Sequence, residues 1–340
     1  MKKLFIGIDF SKEKFDVSFF ELGNEQLMHH HVFLNNATGF KSLISWLQTQ
    51  TAIPTSEWLF CGENTGLYSL CLSSFLVRQG LFMWLENPLQ IKKTTGIKRL
   101  KNDKADSREI ALYCFRFEDK ARLYKISGKS ITALRLLFTY RERLIRCKNT
   151  LQMAAKENRK IMDDNTTSRM IYDDTMQLVS EIDEKLRTVE KEMEQIIAKE
   201  TELKENYKVV RSVKGIGIVN AIAIMITTDN FTKFASARQF ACYCGVVPFD
   251  QTSGSSLHKG KHVSRIANIK LKTYLTQAAR SAVMFDDELK IYYERKKKEG
   301  KKDQVIINNV RNKLLQRIFA VIRKKTMFER VYENHLKVSA

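Results

Sequence analysis

The distribution of proline constrains the fold of this chain more than any other feature of its sequence. The chain has three prolines in 340 residues, and none lies between Pro88 and Pro248. Proline inside a helix removes a backbone hydrogen bond and clashes with the preceding turn, so a segment without proline can form uninterrupted helices. We therefore expect the middle of the chain to contain helices longer than the usual three turns.

A heptad pattern supports this expectation. Apolar residues recur at alternating steps of three and four at Val179, Ile182, Leu186, Val189, Met193 and Ile196. A weaker upstream stripe, with Arg141 and Lys148 interrupting it, runs through Leu134, Leu137, Leu144 and Leu151. Such spacing places the apolar side chains on one seam of a helix. We expect two long helices that form an antiparallel pair or whose seam meets another protomer.

The flanking segments differ from this middle part. The first begins with the β-rich runs "KLFIGIDF" and "KFDVSFF" and then alternates strand-like and helix-like runs, which is typical of a mixed-sheet α/β fold. The last is mainly helical, and its turn at Gly215 and Gly217 resembles a helix–hairpin–helix turn, with a plain tight turn as the alternative. We divide the chain into an N-terminal domain (1–125), coiled-coil helices (126–206) and a C-terminal domain (207–340).

The charge of the chain points to a polyanionic partner. The formal net charge is +20, and residues 207–340 contain 26 Lys and Arg against 10 Asp and Glu. A basic surface on one part of a chain is typical of nucleic-acid binding. No apolar run approaches the length of a membrane span, and the six cysteines form no CxxC pair. We expect a cytoplasmic, DNA-associated protein without a membrane partner.

Four carboxylates suggest a metal site. Asp9 and Glu63 each end an apolar strand, while Asp103 and Asp106 lie three residues apart at the start of a helix and so share one face. Taken alone, Asp103 also suits a helix N-cap, and Asp106 suits the first turn of a helix. Together the four oxygen ligands fit two hard divalent ions about 3.5–4 Å apart, which act on a phosphodiester. Mg²⁺ fits best, with Mn²⁺ as the alternative.

These motifs carry a resemblance. The order of "GIDFSKEKFDV", "GENTGLY" and "KNDKADSREIA" resembles the RuvC-like, DEDD-type insertion-sequence transposases, the group that includes the Piv and MooV invertases. It is also similar to the recombinases whose targets are chosen by a bridge RNA. The resemblance implies an RNase H-like (RuvC-like) N-terminal domain in which Asp9, Glu63, Asp103 and Asp106 are the catalytic metal ligands.

A second resemblance lies near the C-terminus. The stretch "YCGVVPFDQTSGSSLHKGKHVSRIANIKLK" looks like the C-terminal domain of the same transposases, where a serine before glycine is the nucleophile. That serine is Ser253 here, with Thr252, Ser255 and Ser256 as alternatives. Lys259, Lys261 and Arg265 would balance the charge of the reacting phosphate, and Lys214 would contact nucleic acid. The chain departs from the family at Ala267, which stands where a glycine commonly precedes Asn268.

The resemblance implies a DNA transposase or site-specific recombinase that cuts and rejoins DNA through a serine nucleophile assisted by a Mg²⁺-binding DEDD site. The expected partners are double-stranded DNA and further copies of the chain, as a homodimer or tetramer, and a bridge RNA remains an open addition. A metal-only RuvC-like nuclease or junction resolvase is the alternative. Two weaker alternatives remain. One is a sugar-kinase or actin-like ATPase, whose phosphate-loop motifs are not found in this sequence, and the other is a non-catalytic nucleic-acid scaffold.

Overall fold

A computed structural model describes residues 2–94, 102–161, 166–253, 257–264 and 266–329. The chain divides into two compact units, Met1–Ile126 and Ser127–Ala340. The helices of the middle segment therefore belong to the second unit, and the three-part division stays a prediction. No helix in the described ranges combines the length and apolar character that a membrane crossing requires.

The first unit is built on a five-stranded mixed sheet. Its strands are β1 (Leu4–Phe10), β2 (Lys14–Glu21), β3 (His29–Leu34), β4 (Trp58–Glu63) and β5 (Phe82–Glu86), in the spatial order β3-β2-β1-β4-β5. The pairs β1–β2 and β2–β3 are antiparallel, whereas β1–β4 and β4–β5 are parallel. The mixed α/β character predicted for this segment is confirmed.

Helices cover both faces of this sheet because the strand residues are apolar on both sides. One face packs against α1 (Ala37–Gln50) and α2 (Leu67–Arg78), and the other against α3 (Pro88–Thr94) and α4 (Asp103–Arg116). Along β1, Ile6 and Ile8 belong to the first core, and Phe5 belongs to the second. Helix α4 therefore lies over the face of β1 that also carries Gly7 and Asp9.

The second unit is mainly helical, as predicted. It begins with α5 (Lys129–Ile161, 33 residues) and α6 (Thr166–Lys199, 34 residues), which have the length that the absence of proline allows. It continues with α7 (Thr201–Arg211), α8 (Ile218–Thr228), α9 (Ala237–Tyr243), β6 (Pro248–Ser253), β7 (Leu257–Val263), α10 (Ile269–Phe285), α11 (Asp287–Lys298) and α12 (Asp303–Lys324).

Ion pairs between α5 and α6 show that these helices are antiparallel. Arg141 Nε lies 2.7 Å from Glu190 Oε1, and Lys148 Nζ lies 2.6 Å from Asp183 Oδ1. A step of seven residues towards the C-terminus of α5 thus corresponds to a step of seven residues towards the N-terminus of α6. The two basic residues that interrupt the apolar stripe of α5 therefore pair with acidic residues of α6.

Candidate active site

The strand register brings two of the predicted carboxylates to one edge of the sheet. Ile8 of β1 is paired with Gly62 of the parallel strand β4, so the following residues, Asp9 and Glu63, are neighbours on adjacent strands. Adjacent strands lie about 4.8 Å apart. Asp9 and Glu63 are both half-buried, so their carboxylates can still reach a ligand from solvent.

Close packing of α4 against the sheet determines where the other two carboxylates lie. A Cβ atom added to Gly7 would lie 2.2 Å from both Ala111 N and Ser107 O, so only glycine allows α4 to approach β1 this closely. The buried hydroxyls of Ser18 and Ser107, 2.8 Å apart, join the same part of α4 to β2. These contacts hold the first turn of α4 over the strand that carries Asp9.

The acidic residues of α4 are in its first turn but do not cap it. The N-cap is Asn102, whose side chain accepts a hydrogen bond from Ala105 N, so the alternative in which Asp103 is the N-cap is wrong. Asp103 is exposed and Asp106 is half-buried. Burial raises the pKa of Asp9 to about 6, with further contributions, in order, from the carboxylates Asp106, Asp103, Glu63 and Asp16. The other three predicted carboxylates are thus each close enough to Asp9 to repel its negative charge.

A fifth carboxylate, Asp16, adjoins this group and was missed by sequence reasoning. It is paired with Asp9 across the β1–β2 hairpin and is only 4% exposed. Its Oδ1 lies 3.0 Å from His30 Nε2, and its Oδ2 lies 3.3 Å from Lys14 Nζ. The same Lys14 ammonium lies 2.9 Å from Asp103 Oδ2. The antiparallel register of the predicted hairpin was the signal that could have identified Asp16.

The residues at this edge suit a hard divalent cation. Their donors are carboxylate oxygens, the ligands that Mg²⁺ and Mn²⁺ prefer, and their mutual repulsion would be relieved by positive charge. Within the described residues, no three His, Cys, Asp or Glu side chains are grouped closely enough to hold an ion without moving. Lys14 instead supplies the positive charge between Asp16 and Asp103. Small side-chain movements would therefore have to accompany metal binding.

Ser253 ends the first strand of a β-hairpin in a segment where no strand was predicted. Strands β6 and β7 are antiparallel, with Thr252 paired to His258 and Ser253 paired to Leu257. The side chains of Ser253, Lys259 and Lys261 lie outside the described part of the structure, as do the whole residues Ser255, Ser256 and Arg265. The roles of these residues stay predictions.

The base of this hairpin explains how the chain tolerates Ala267. A Cβ atom added to Gly245, which has a φ of +63°, would lie 2.4 Å from the Ala267 Cβ. Gly245 therefore leaves the room that Ala267 occupies. Asn268 still caps α10, since its side chain accepts a hydrogen bond from Leu271 N, and its backbone N–H donates to Tyr243 O over 3.0 Å. The start of α10 is preserved despite the departure from the family pattern.

Lys214, the remaining predicted nucleic-acid contact, is exposed beside a tight turn. Gly215 has a φ of +90°, and a Cβ atom there would lie 2.6 Å from Ala278 O, so the turn requires glycine. Helix α8 begins immediately after Gly217. This geometry leaves the Lys214 side chain accessible, while its contact with nucleic acid stays a prediction.

Comparison with known proteins identifies the family of this chain. Residues 6–157 match the model of a DEDD transposase of the IS110 type, and residues 207–294 match the transposase model of the IS116/IS110/IS902 family. The chain belongs to the IS110-type DEDD transposases. The first match includes all four predicted carboxylates, and the second includes the β6–β7 hairpin.

Individual relatives agree with this assignment. The chain is 26% identical to the pilin gene-inverting proteins of Moraxella bovis and Moraxella lacunata, over 98% of its own length and the full length of each relative. It is also 29% identical, over 36% of its length, to 30% of an uncharacterised 43.6 kDa protein of the insertion element IS110 in Streptomyces coelicolor. This transposase family acts on DNA, and the chain is an enzyme of DNA transposition and recombination. The DEDD family typically uses a divalent metal ion.

Proposed function

We propose that this transposase cuts and rejoins DNA by phosphodiester transesterification, with Ser253 as the nucleophile and Asp9, Glu63, Asp103 and Asp106 as the ligands of Mg²⁺ or Mn²⁺. The observation that carries the metal part is the raised pKa of Asp9 at a sheet edge, to which the other three carboxylates contribute. Perturbed carboxylates of this kind are typical of functional sites.

We assign the first unit to the RNase H-like fold. Its support is the strand order β3-β2-β1-β4-β5, in which an antiparallel three-stranded part continues into parallel strands. Asp9 lies on the central strand β1, and α4, which carries Asp103 and Asp106, packs over the same face of that strand. An experimental structure of the metal-bound unit tests this assignment.

The carboxylates would hold the ions where the scissile phosphate is bound. When bound, divalent ions stabilise the negative charge on the attacking and leaving oxygens of a phosphoryl transfer. In this chain, Asp9 and Glu63 would be held by the strand register, whereas Asp103 and Asp106 would depend on the packing of α4. Lys14 would have to release Asp103 when the cation binds.

The serine step replaces one phosphodiester bond with another. The Ser253 oxygen attacks phosphorus and loses its proton to a base or to solvent, while the bond to the leaving sugar oxygen breaks and that oxygen takes up a proton. The resulting phosphoserine ester conserves the bond energy. Attack by a hydroxyl of another DNA end then releases Ser253 and joins the strands without ATP.

The pilin gene-inverting relatives suggest that DNA inversion is one outcome of this chemistry. We propose double-stranded DNA at the element ends and target as the substrate, and a homodimer or tetramer as the assembly. Guidance by a bridge RNA follows from the resemblance alone, so we treat RNA as a variable of the experiment.

A covalent-trapping assay tests the proposal. Purified protein is incubated with Mg²⁺ and labelled DNA carrying the flanks of its own genomic locus, with and without RNA transcribed from those flanks. A denaturing gel then reports a protein–DNA adduct for the wild type, Ser253→Ala, Thr252→Ala and Asp9→Asn. We expect Ser253→Ala and Asp9→Asn to lose the adduct and Thr252→Ala to retain it.

The same assay separates the alternatives. DNA cleavage that survives Ser253→Ala but is lost in Asp9→Asn would overturn the serine mechanism and leave a metal-only nuclease. An adduct lost in Thr252→Ala and retained in Ser253→Ala would move the nucleophile by one residue. An adduct that forms equally well without RNA would remove the bridge RNA from the proposal.

A further inference from the structure

Three cationic side chains of the second unit, which we call the α10–α12 cluster, lie along the contact between two helices. Lys272 and Arg280 are two turns apart on α10, and Arg311 lies on the neighbouring helix α12. Arg311 is electrostatically coupled to both of the α10 cations. Because α10 rises 1.5 Å per residue, the cluster spans about 12 Å.

The α10–α12 cluster has no acidic counterpart in the described part of the chain. Among the described residues, none of the three cations forms an ion pair with a carboxylate. Arg311 Nη1 donates to the neutral Asn308 Oδ1 over 3.1 Å, and Arg311 Nε is buried without a hydrogen-bond partner. A buried guanidinium N–H without an acceptor is costly, and it indicates that an acceptor is missing from the isolated chain.

The electrostatics of the cluster agree with this geometry. Burial lowers the pKa of Arg311 below its ordinary range, and the neighbouring Arg280 lowers it further. Burial likewise lowers the pKa of Lys272, with Arg311 as the second cause. No carboxylate of the described ranges offsets either effect. Folding therefore brings together like charges that destabilise the free protein, which is typical of a binding site maintained for a ligand of opposite charge.

Another arginine of α12 shows the contrasting case. Arg317 Nη1 lies 3.0 Å from Asp286 Oδ2, and Arg317 Nη2 lies 2.6 Å from Glu288 Oε2. Within the described residues, the fold thus neutralises Arg317 with two carboxylates but leaves Arg311, six residues earlier, without any. The difference is a property of the positions on the helix and not of the residue type.

The cluster is connected to the base of the β6–β7 hairpin. Asn308, which orients Arg311, donates from Nδ2 to Val246 O over 2.8 Å, and Val246 lies two residues before β6 begins. Lys272 is in the first turn of α10, whose N-cap Asn268 is bonded to Tyr243 O. Lys272 and Arg311 therefore lie where the two ends of the hairpin join the helical core.

We propose that the α10–α12 cluster is a phosphate-binding site for the DNA backbone, which it holds at the base of the hairpin that carries Ser253. The strand would supply the acceptor for Arg311 Nε and the negative charge for all three cations. Binding of a phosphodiester follows from the cluster itself, and only the connection with Ser253 rests on the proposed function. A span of about 12 Å exceeds the rise between neighbouring phosphates of one strand, so the site accommodates more than one.

The test compares two charge-matched double variants of the full chain without divalent metal. Lys272→Met/Arg311→Met removes two cations of the cluster, and Lys185→Met/Arg187→Met removes one exposed Lys and one exposed Arg from the acidic helix α6. The melting temperature is measured with and without sulfate. The affinity for a labelled DNA duplex and a labelled RNA hairpin is measured by fluorescence anisotropy over a series of salt concentrations.

We expect the cluster variant to be at least as stable as the wild type without ligand, because a like-charge repulsion has been removed. We expect it to lose the stabilisation by sulfate, to bind DNA about tenfold more weakly and to show a smaller salt dependence, by about 0.9 in logarithmic slope for each phosphate that the variant no longer neutralises. The α6 control should bind DNA as the wild type does.

Three results would overturn the proposal. The first is an equal DNA affinity in the cluster variant and the α6 control. The second is a large loss of stability of the cluster variant without ligand. The third is a loss of affinity for the RNA hairpin alone. Because the assay uses no metal and scores no cleavage, it is independent of the serine chemistry. A Ser253→Ala protein that binds DNA normally but forms no adduct would leave this phosphate-binding site intact and would separate it from the serine chemistry.

Discussion

The two units of this transposase each collect charges of one sign, but they hold them differently. In the first unit, five carboxylates surround the edge of β1, and the cation Lys14 neutralises part of their charge. In the second unit, the α10–α12 cluster gathers three cations and, within the described residues, no carboxylate. The acidic site thus carries a counter-charge of its own, whereas the described part of the basic site does not.

This difference determines how each site would bind a ligand. A cation that binds the acidic edge must compete with an ammonium that is already there, so its affinity depends on side chains that move. An anion that binds the α10–α12 cluster displaces no opposite charge of the described residues, and it relieves a repulsion that folding created. Substitutions that change the charge or the packing of either site should separate these two situations.

The largest effect is expected from Asp9→Asn. The reaction should slow by about 10³-fold, because a metal ligand contributes several kcal/mol of transition-state stabilisation. Rates of strand cleavage and joining in Mg²⁺ provide the measurement. Asp119→Asn, an exposed carboxylate of the same unit, is the control and should leave the rate unchanged. An Asp9→Asn protein with more than a tenth of the wild-type rate would contradict the assigned metal site.

The same variant should gain stability without metal. The pKa of Asp9 is raised to about 6, so the folded protein binds this proton more tightly than the unfolded chain does, and stability falls as pH rises through that range. At pH 8 with chelator, Asp9→Asn should be more stable than the wild type by about 1–2 kcal/mol, after allowance for partial exposure. The gain should shrink towards pH 4. Denaturant unfolding at both pH values measures it, and an equal gain at both would exclude this cause.

Arg317→Met should destabilise the second unit by about 3 kcal/mol, because it leaves the buried Asp286 without its cation. Its comparison with Arg311→Met on the same helix is the sharpest test of the contrast between a neutralised and an unneutralised arginine. Thermal unfolding of both variants without ligand provides the measurement. Similar losses in the two proteins would mean that Arg311 has a structural role.

Gly7→Ala should cost about 3 kcal/mol, because the new methyl group overlaps the backbone of α4 at Ser107 and Ala111. Since α4 carries Asp103 and Asp106, catalysis should fall even at temperatures where the variant is fully folded. Gly128→Ala, where an added Cβ meets nothing within 4 Å, is the matched control. A folded Gly7→Ala protein with full activity would show that the position of α4 is not critical.

The smallest effect is expected from Lys14→Met. Removal of the ammonium between Asp16 and Asp103 should make Mg²⁺ bind about fivefold more tightly, because a nearby positive charge would no longer compete with the ion. The midpoint of a Mg²⁺ titration followed by melting temperature measures this, with the exposed Lys12→Met as the control. Weaker binding would indicate that Lys14 organises the carboxylates rather than competing for them.

Much of the fold followed from local patterns in the sequence. The absence of proline and the heptad steps predicted the long helices α5 and α6, and the alternating runs predicted the mixed sheet of the first unit. Both predictions rest on the periodicity of single elements, which is a local property that the sequence displays directly. The β6–β7 hairpin was not predicted because its polar, glycine-containing segment has the composition of a loop.

What the sequence determined by itself is the set of chemical groups: the four carboxylates, the serine motif and the basic excess of the last segment. Only the tertiary structure put Lys14 between Asp16 and Asp103 and, among the described residues, left Arg311 without a counter-charge while Arg317 received two. The physical reason is that electrostatic energy depends on distances between residues far apart in the chain, and those distances are set by strand register and helix packing. The alanine at position 267, where the family commonly has glycine, likewise depends on a residue distant in the chain, since the space for its methyl group comes from Gly245.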